Sequence, residues 1–416
     1  MNPLFPLSGR ARALWPAASE AEWNDWRWQL RHRVSTADEL DRLVVLRGEE
    51  REALERDGLF RVDLTPFVAS LIDPDDPGCP IRRQIVPTIA EAEAFDGVRV
   101  DSLGEDAHSP VPGLVHRYPD RVLMLVTTEC ASYCRFCTRS RIVGDASENF
   151  GPGDHQQQLE YIASRPEVRD VLLSGGDPLM LPDRVLDRLL ERLRAIPHVE
   201  IVRIGTRVPY FLPQRVTPEL CAILARHHPL WVNVHVNHPN ELVPEVNAAY
   251  ARLADAGIPL GAQTVLMAGV NDCPQLMLAL VRELVRQRIR PYYLYQCDLV
   301  RGAGHFRTRL AAGVEIVEAL RGHTSGYAVP TFVVDLPDGG GKVPVAPSYL
   351  ISQGVRRVAL RNFEGFIGTY VEPEQVPVHD PSRCRFCSAR ASGVSALLRG
   401  DEASVKPCGW HEGRGG

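Results

Sequence analysis

The sequence predicts an α/β protein built on a parallel sheet that forms a barrel or part of one. Three observations carry this reading. From about residue 120, short apolar runs recur at Val122–Thr127, Val168–Leu173, Glu200–Gly205, Leu230–Val236, Pro259–Leu266 and Arg290–Gln296. Amphipathic segments fall around 181–195, 217–227, 241–256, 275–288 and 311–321, giving five helices among six strands at the spacing of βα units. Each run is apolar enough to be read as a strand covered on both faces. In such folds the chemistry lies in loops at the C-terminal ends of the strands, so the reactive residues should fall there.

Taken in chain order, residues 1–115 read as a helical extension. Within it, Glu22–Gln29 carries Trp23, Trp26 and Trp28 as one amphipathic helix that packs aromatics on something larger. Residues 72–88 open on Asp73-Pro74-Asp75-Asp76-Pro77 and predict an irregular connection. Residues 116–345 hold the strands and helices, and 346–416 form a C-terminal extension.

Composition narrows the function. A net charge of −5 over 416 residues argues against nucleic acid, whose phosphates require a basic surface. No apolar run approaches the length of a membrane span. The first residues carry Pro3, Pro6, Pro16 and several arginines and do not read as a secretory signal. A cytoplasmic location is therefore expected, and there ten cysteines suit metal ligation, reactivity or core filling better than disulfides. Of 47 basic residues only Lys342 and Lys406 are lysines, a bias that makes a surviving lysine informative.

After the first strand comes Cys130-Ala131-Ser132-Tyr133-Cys134-Arg135-Phe136-Cys137. Structural zinc would want a fourth ligand close by. Three loop cysteines suit a [4Fe–4S] cluster with one iron left open. The second strand ends in Ser174-Gly175-Gly176-Asp177. Paired glycines there serve either a tight βα turn or the close approach of a ligand to bare backbone. Further on, Asp335-Leu336-Pro337-Asp338-Gly339-Gly340-Gly341-Lys342-Val343-Pro344 is not a phosphate loop, because Val343 stands where that motif needs Ser or Thr. A lysine can form a Schiff base with a carbonyl cofactor and an arginine cannot.

These motifs, together with His116-Arg117-Tyr118-Pro119-Asp120-Arg121, His238-Pro239-Asn240-Glu241 and Pro291-Tyr292-Tyr293-Leu294-Tyr295-Gln296-Cys297-Asp298, resemble the lysine 2,3-aminomutase family. These are pyridoxal-phosphate-dependent radical S-adenosylmethionine enzymes, and the resemblance runs from about Trp23 to Phe366. It implies a partial (β/α)6 barrel of the radical S-adenosylmethionine type. It implies an isomerase that moves an amino group from C2 to C3 of a basic amino acid, L-lysine to L-β-lysine, using a 5′-deoxyadenosyl radical. By the same resemblance Cys130, Cys134 and Cys137 hold the cluster. Ser174, Gly175, Gly176, Asp177, His235 and Gln263 line the S-adenosylmethionine site, and Lys342 forms the Schiff base with pyridoxal phosphate. Arg117, Tyr118 and Arg121 hold its phosphate, Arg139 takes the substrate α-carboxylate, and Asp298 with Asp335 holds the distal ammonium.

The family's zinc site implies Cys384 and Cys387 with Cys273 from a neighbouring subunit; Ser382 stands at the usual first ligand position, and Cys408, or His379 or His411 in its place, is the candidate fourth ligand. Zinc would come with a homo-oligomer, dimer or tetramer, and catalysis with an external electron donor. Phe136, where relatives often carry His, and Asp338, which interrupts a glycine run, could tune substrate choice. Cys79, Cys221 and Cys297 read as core or incidental. Two alternatives stay open: an arginine 2,3-aminomutase, since two carboxylates also suit a guanidinium, and an inactive iron–sulfur or zinc scaffold.

Overall fold

The computed structural model describes residues 8–56 and 61–373, and in the tail Leu397, Gly400, Ala403 and Ser404. The chain divides into two compact units, Met1–Pro347 and Ser348–Gly416. The first unit is built on nine strands: β1 (Leu114–Tyr118), β2 (Arg121–Thr127), β3 (Asp170–Gly175), β4 (Ile201–Thr206), β5 (Leu230–His235), β6 (Leu260–Leu266), β7 (Ile289–Gln296), β8 (Thr331–Leu336) and β9 (Gly341–Pro344). They neighbour one another in sequence order. Pairing is parallel from β2 to β8 and antiparallel at both edges. Such an order curls a sheet progressively and leaves a nearly closed barrel.

Six βα units follow from β2 to β7, with helices Pro152–Ala163, Asp183–Arg194, Pro218–Ala225, Pro244–Asp255, Pro274–Arg286 and Leu310–Leu320. The first of these was not legible in the apolar pattern. It buries His155 and Gln158 beside Leu159 and Ile162, and the polar pair bonds backbone carbonyls of Val126, Pro112 and Leu125. Both antiparallel edge strands also went unread as strands, and β3 begins two residues later than its apolar run.

β2 and β3 are apolar on both faces, with Leu123, Leu125 and Leu172 on the inner one, as expected; the later strands are apolar mainly on one face, against that expectation. Val202, Ile204, Leu230, Val232, Val234, Leu260 and Ala262 are buried toward the helices. Alternate residues Arg203, His235 and Gln263 are half-buried on the other face, which lines the barrel interior. The strand period of two separates the faces.

The N-terminal segment packs on the barrel and shares its core. Trp23 and Trp28 are buried as expected, but the expected single helix is two, Glu20–Trp23 and Trp26–Arg31. Asp25 breaks it by accepting a hydrogen bond from Arg27 N as the second helix's N-cap. The expected irregular stretch contains a short helix, Pro80–Ile85, started by proline at its first position. Cys79, Cys221 and Cys297 are buried. No helix among the described residues is long and apolar enough to cross a membrane. The second unit carries a three-stranded antiparallel sheet, β10 (Leu350–Gln353), β11 (Arg357–Arg361) and β12 (Ile367–Val371).

One buried ion pair ties the N-terminal segment to the cysteine loop. Arg135 donates from Nε and Nη2 to Glu91 at 2.9 and 2.5 Å and from Nη1 to Arg61 O at 2.8 Å. Removing Glu91 leaves that guanidinium buried without its counter-charge. Glu91→Ala should cost about 3–5 kcal/mol of stability, read from denaturant unfolding followed by tryptophan fluorescence; a loss below about 1 kcal/mol, the size of a surface pair, would show that the pair is not what fastens the loop.

Candidate active site

The three motif cysteines follow β2, at the end of the strand where a barrel opens. The backbone of their loop is held from the N-terminal side: Tyr133 N donates to Asp63 O at 3.2 Å, Arg135 N to Gln84 O at 2.9 Å, and Thr65 N to Ser132 Oγ at 3.1 Å. Burial raises all three thiol pKa values. Cys130 is pushed up by burial and then by Asp177, Cys137 and Cys134, and Cys137 is pushed up to about 12 by burial and the charge of Cys134. Cys134 rises less, because Arg207 Nη1 donates to its Sγ at 3.0 Å. No three His, Cys, Asp or Glu side chains among the described residues stand in a ready metal-holding geometry. The donor chemistry nonetheless fits iron: three half-buried thiols in one another's field ionise on binding a cation.

The glycines at the end of β3 make a tight turn against the cysteine loop. A Cβ on Gly175 would lie 2.2 Å from Thr127 O, and one on Gly176 2.2 Å from Glu129 O. Gly176 N donates to Thr127 O at 2.6 Å and Asp177 N to Glu129 O at 2.8 Å. The pair lets one βα turn lie directly on the backbone that leads into Cys130. The Asp177 carboxylate is buried and accepts from Thr206 Oγ1 and from the backbone N–H groups of Leu179, Arg207 and Val208 at 2.7–3.0 Å. It therefore ties the β3 turn to the β4 turn. His235 and Gln263 face each other across β5 and β6. Burial, then the nearby Arg207, lowers the His235 pKa to about 3, so the ring is neutral; Phe136 packs 5.3 Å from it.

The lysine lies where the barrel nearly closes. Lys342 on β9 pairs with Asp335 on β8, and its Nζ bonds Asp335 Oδ1 at 3.1 Å. Its backbone N–H donates to Tyr118 Oη at 3.0 Å, and Arg117 Nε donates to Gly339 O. β1 and β9 are the two edges of the sheet, so these bonds cross the seam. The Arg121 guanidinium stacks 3.9 Å from the Tyr118 ring centroid. Arg290, Tyr292, Tyr293 and Lys342 help line a cavity of about 240 Å³, a size near the lower end of small-ligand sites.

Asp298 follows β7, and Asp335 lies in β8. Burial and then the charge of Asp335 push the Asp298 pKa up to about 7. Arg139 is largely buried and already paired: Glu105 accepts from its Nε at 2.9 Å and Nη2 at 2.5 Å, and Ser174 Oγ accepts from Nη1 at 3.2 Å. Nothing in the motifs singled out Glu105, because its partner is 34 residues away in the chain. Asp338 is exposed, with φ +56°, and lies 3.7 Å from Arg99. Cys273 is exposed and its Sγ donates to Gln275 at 3.1 Å. Cys384, Cys387 and Cys408 lie outside the described residues.

Residues 124–281 match the family model described as Radical SAM superfamily, and 317–412 match that of Lysine-2,3-aminomutase. L-lysine 2,3-aminomutase of Acetoanaerobium sticklandii is 52% identical over 396 residues, covering 94% of this chain and 95% of that one. The Clostridium subterminale L-lysine 2,3-aminomutase is 50% identical, covering 97% and 98%. The chain belongs to the lysine 2,3-aminomutase family. Glutamate 2,3-aminomutase of Clostridioides difficile is more distant, 42% identical over 87% of this chain and 85% of that one. A radical S-adenosylmethionine domain implies a [4Fe–4S] cluster and S-adenosylmethionine, and members of the family are isomerases acting on small molecules.

In this family member the glycine pair supports the cluster loop by backbone contact. Gly176→Ala would force a methyl against Glu129 O, with no flexible side chain to give way. The variant should lose most of its iron on reconstitution, measured as iron per chain and the absorbance of the cluster; a full iron content would refute the contact's role.

Proposed function

We propose that this protein is an L-lysine 2,3-aminomutase, converting L-lysine to L-β-lysine. The observation that carries the reading is the bond from Lys342 Nζ to Asp335 at 3.1 Å, beside Asp298. The Lys342 ammonium, on a four-carbon stem, is already accepted by the carboxylate assigned to the substrate's distal ammonium, and the same Lys342 amine can form an imine. The relatives at 50–52% identity carrying the lysine name support the same substrate.

Lys342 would hold pyridoxal phosphate, with Arg117, Tyr118 and Arg121 on the phosphate; planar guanidinium groups suit it. Cys130, Cys134 and Cys137 would hold the cluster, and Ser174, Gly175, Gly176, His235 and Gln263 would line the S-adenosylmethionine site, with Asp177 fastening the turn. When bound, these groups supply imine chemistry at the migrating nitrogen and a radical that takes hydrogen from C3. The chain's own residues orient and shield. Arg139 binds the α-carboxylate, and Asp298 with Asp335 fixes the distal ammonium, so that C2 and C3 are held in register. Lys342 cannot bond Asp335 as an ammonium and hold the cofactor together, so cofactor loading frees Asp335 for substrate. Zinc shared by Cys273 of one subunit and Cys384, Cys387 and Cys408 of another, a homo-oligomer, and an external electron donor complete the proposal. Exposure of Cys273 supports its part in it.

Anaerobic turnover of lysine, arginine and glutamate with S-adenosylmethionine and reductant tests the function. β-Lysine should dominate; β-arginine in its place would make arginine the substrate, and no product from any of the three would leave an inactive scaffold. Lys342→Ala should lose both the visible absorbance of the pyridoxal imine and all turnover; full activity would exclude the imine role.

The pH dependence follows from Asp298. Below about 7 its carboxyl is neutral, above it is charged, and the substrate ammonium favours the charged form. KM for lysine should therefore fall as pH rises, by up to about tenfold per unit below the inflection. The inflection should lie at or above that value, because loading Lys342 removes a neighbouring positive charge that holds the pKa down. Asp298→Asn should raise KM and flatten the profile; an unchanged profile would place the titration elsewhere.

A further inference from the structure

We propose that Glu105 is a positioning residue that holds one edge of the Arg139 guanidinium and so aims the adjacent end edge at the substrate carboxylate. This rests on the reading of Arg139 given above. A guanidinium has five N–H donors in a fixed fork. Glu105 occupies the side edge, taking Nε at 2.9 Å and Nη2 at 2.5 Å. Ser174 Oγ takes one hydrogen of Nη1 at 3.2 Å. The edge formed by Nη1 and Nη2 is what remains for a second, bidentate carboxylate. Glu105 is 5% exposed, so its own orientation is fixed by packing, and its charge offsets the cost of burying Arg139. Arg141 Nη1 lies 3.9 Å from Glu105, and Arg141 Nη2 pairs with Asp106 at 2.7 Å and lies 3.6 Å from Asp101.

The turn that carries Glu105 also touches the loop that carries Lys342. A Cβ on Gly104 would lie 2.7 Å from Gly339 N, and one on Gly339 would lie 2.2 Å from the His108 ring. His108 Nδ1 is 2.7 Å from Gly104 O. One short rigid turn thus spaces the carboxylate anchor from the imine-forming amine. Substrate must span those two points, so an error of the turn should appear in substrate affinity before it appears in cofactor loading.

The test uses reconstituted holoenzyme and the variants Glu105→Gln, Glu105→Asp, Arg139→Ala and the double Glu105→Gln/Arg139→Ala. Affinity for L-lysine is read from the change in cofactor absorbance on titration and from KM, and L-lysinamide, which lacks the carboxylate, is titrated in parallel. Glu105→Gln should weaken lysine binding by about tenfold or more, the scale of one charge-assisted bond. Iron content and cofactor absorbance should stay at the parent level, and lysinamide affinity should not change. In the Arg139→Ala background the second substitution should add nothing. Glu105→Asp keeps the charge on a shorter stem and should lie between parent and Gln; it gives the readout if Glu105→Gln fails to load. Unchanged or tighter lysine binding in both Glu105 variants would overturn the proposal, tighter binding marking Glu105 as a stand-in for the substrate carboxylate. Equal losses for lysinamide, or additive losses in the double variant, would overturn it too. Arg139→Ala with unaltered lysine binding would instead defeat the reading of Arg139 on which the proposal rests.

Discussion

The candidate site depends on a sheet that curls until its last strand meets its first hairpin. Tyr118 accepts the backbone N–H of Lys342, and Arg117 donates to Gly339 O. Lys342 is 224 residues from Tyr118, and nothing local brings them together. A long, sequentially ordered sheet carries them there, because each strand adds a twist of the same hand to its neighbour. The antiparallel strands at both edges are part of this arrangement. They present polar side chains across the seam where an eighth parallel strand would have filled it.

The second constraint lies at the other half of the site, on the cysteine loop. A loop bearing three thiols has little apolar surface of its own to bury. Its backbone is instead bonded to the N-terminal segment, and its one buried arginine between the second and third cysteines is matched by Glu91. Asp177 and the glycine pair bind the next two strand ends to the same backbone. The N-terminal segment is thus a structural part of the cluster loop, which explains why one core contains both. Charge inside the barrel follows a similar rule. Arg139, Arg207 and Arg135 are each buried against a carboxylate: Glu105, Glu241 and Glu91. The Asp298–Asp335 pair is different, since two anions share that site and the chain's own Lys342 stands in with positive charge.

Legibility tracked how local each signal is. Six of the seven parallel strands and five of six helices were readable because their outer faces are apolar at strand or helix period. The helix Pro152–Ala163 was not, because His155 and Gln158 occupy buried positions where apolar residues would have marked them. The edge strands β1 and β9 are short and partly polar and carry the site, so function had displaced the pattern that reveals a strand. The glycine pair was legible as a turn, but the backbone it approaches, at Thr127 and Glu129, is 48 and 47 residues earlier.

By itself, the sequence determined the chemistry. The cysteine spacing, the lysine in a chain that otherwise uses arginine, and the carboxylates near strand ends are statements about residue types, and residue types do not depend on folding. The βα alternation was determined as well, because strand and helix periods are local. Tertiary structure alone decided the partners. It gave Arg139 to Glu105, Lys342 to Asp335, and Arg207 to Cys134, because buried charges must be matched and the matching group is whichever one the folded sheet brings within reach.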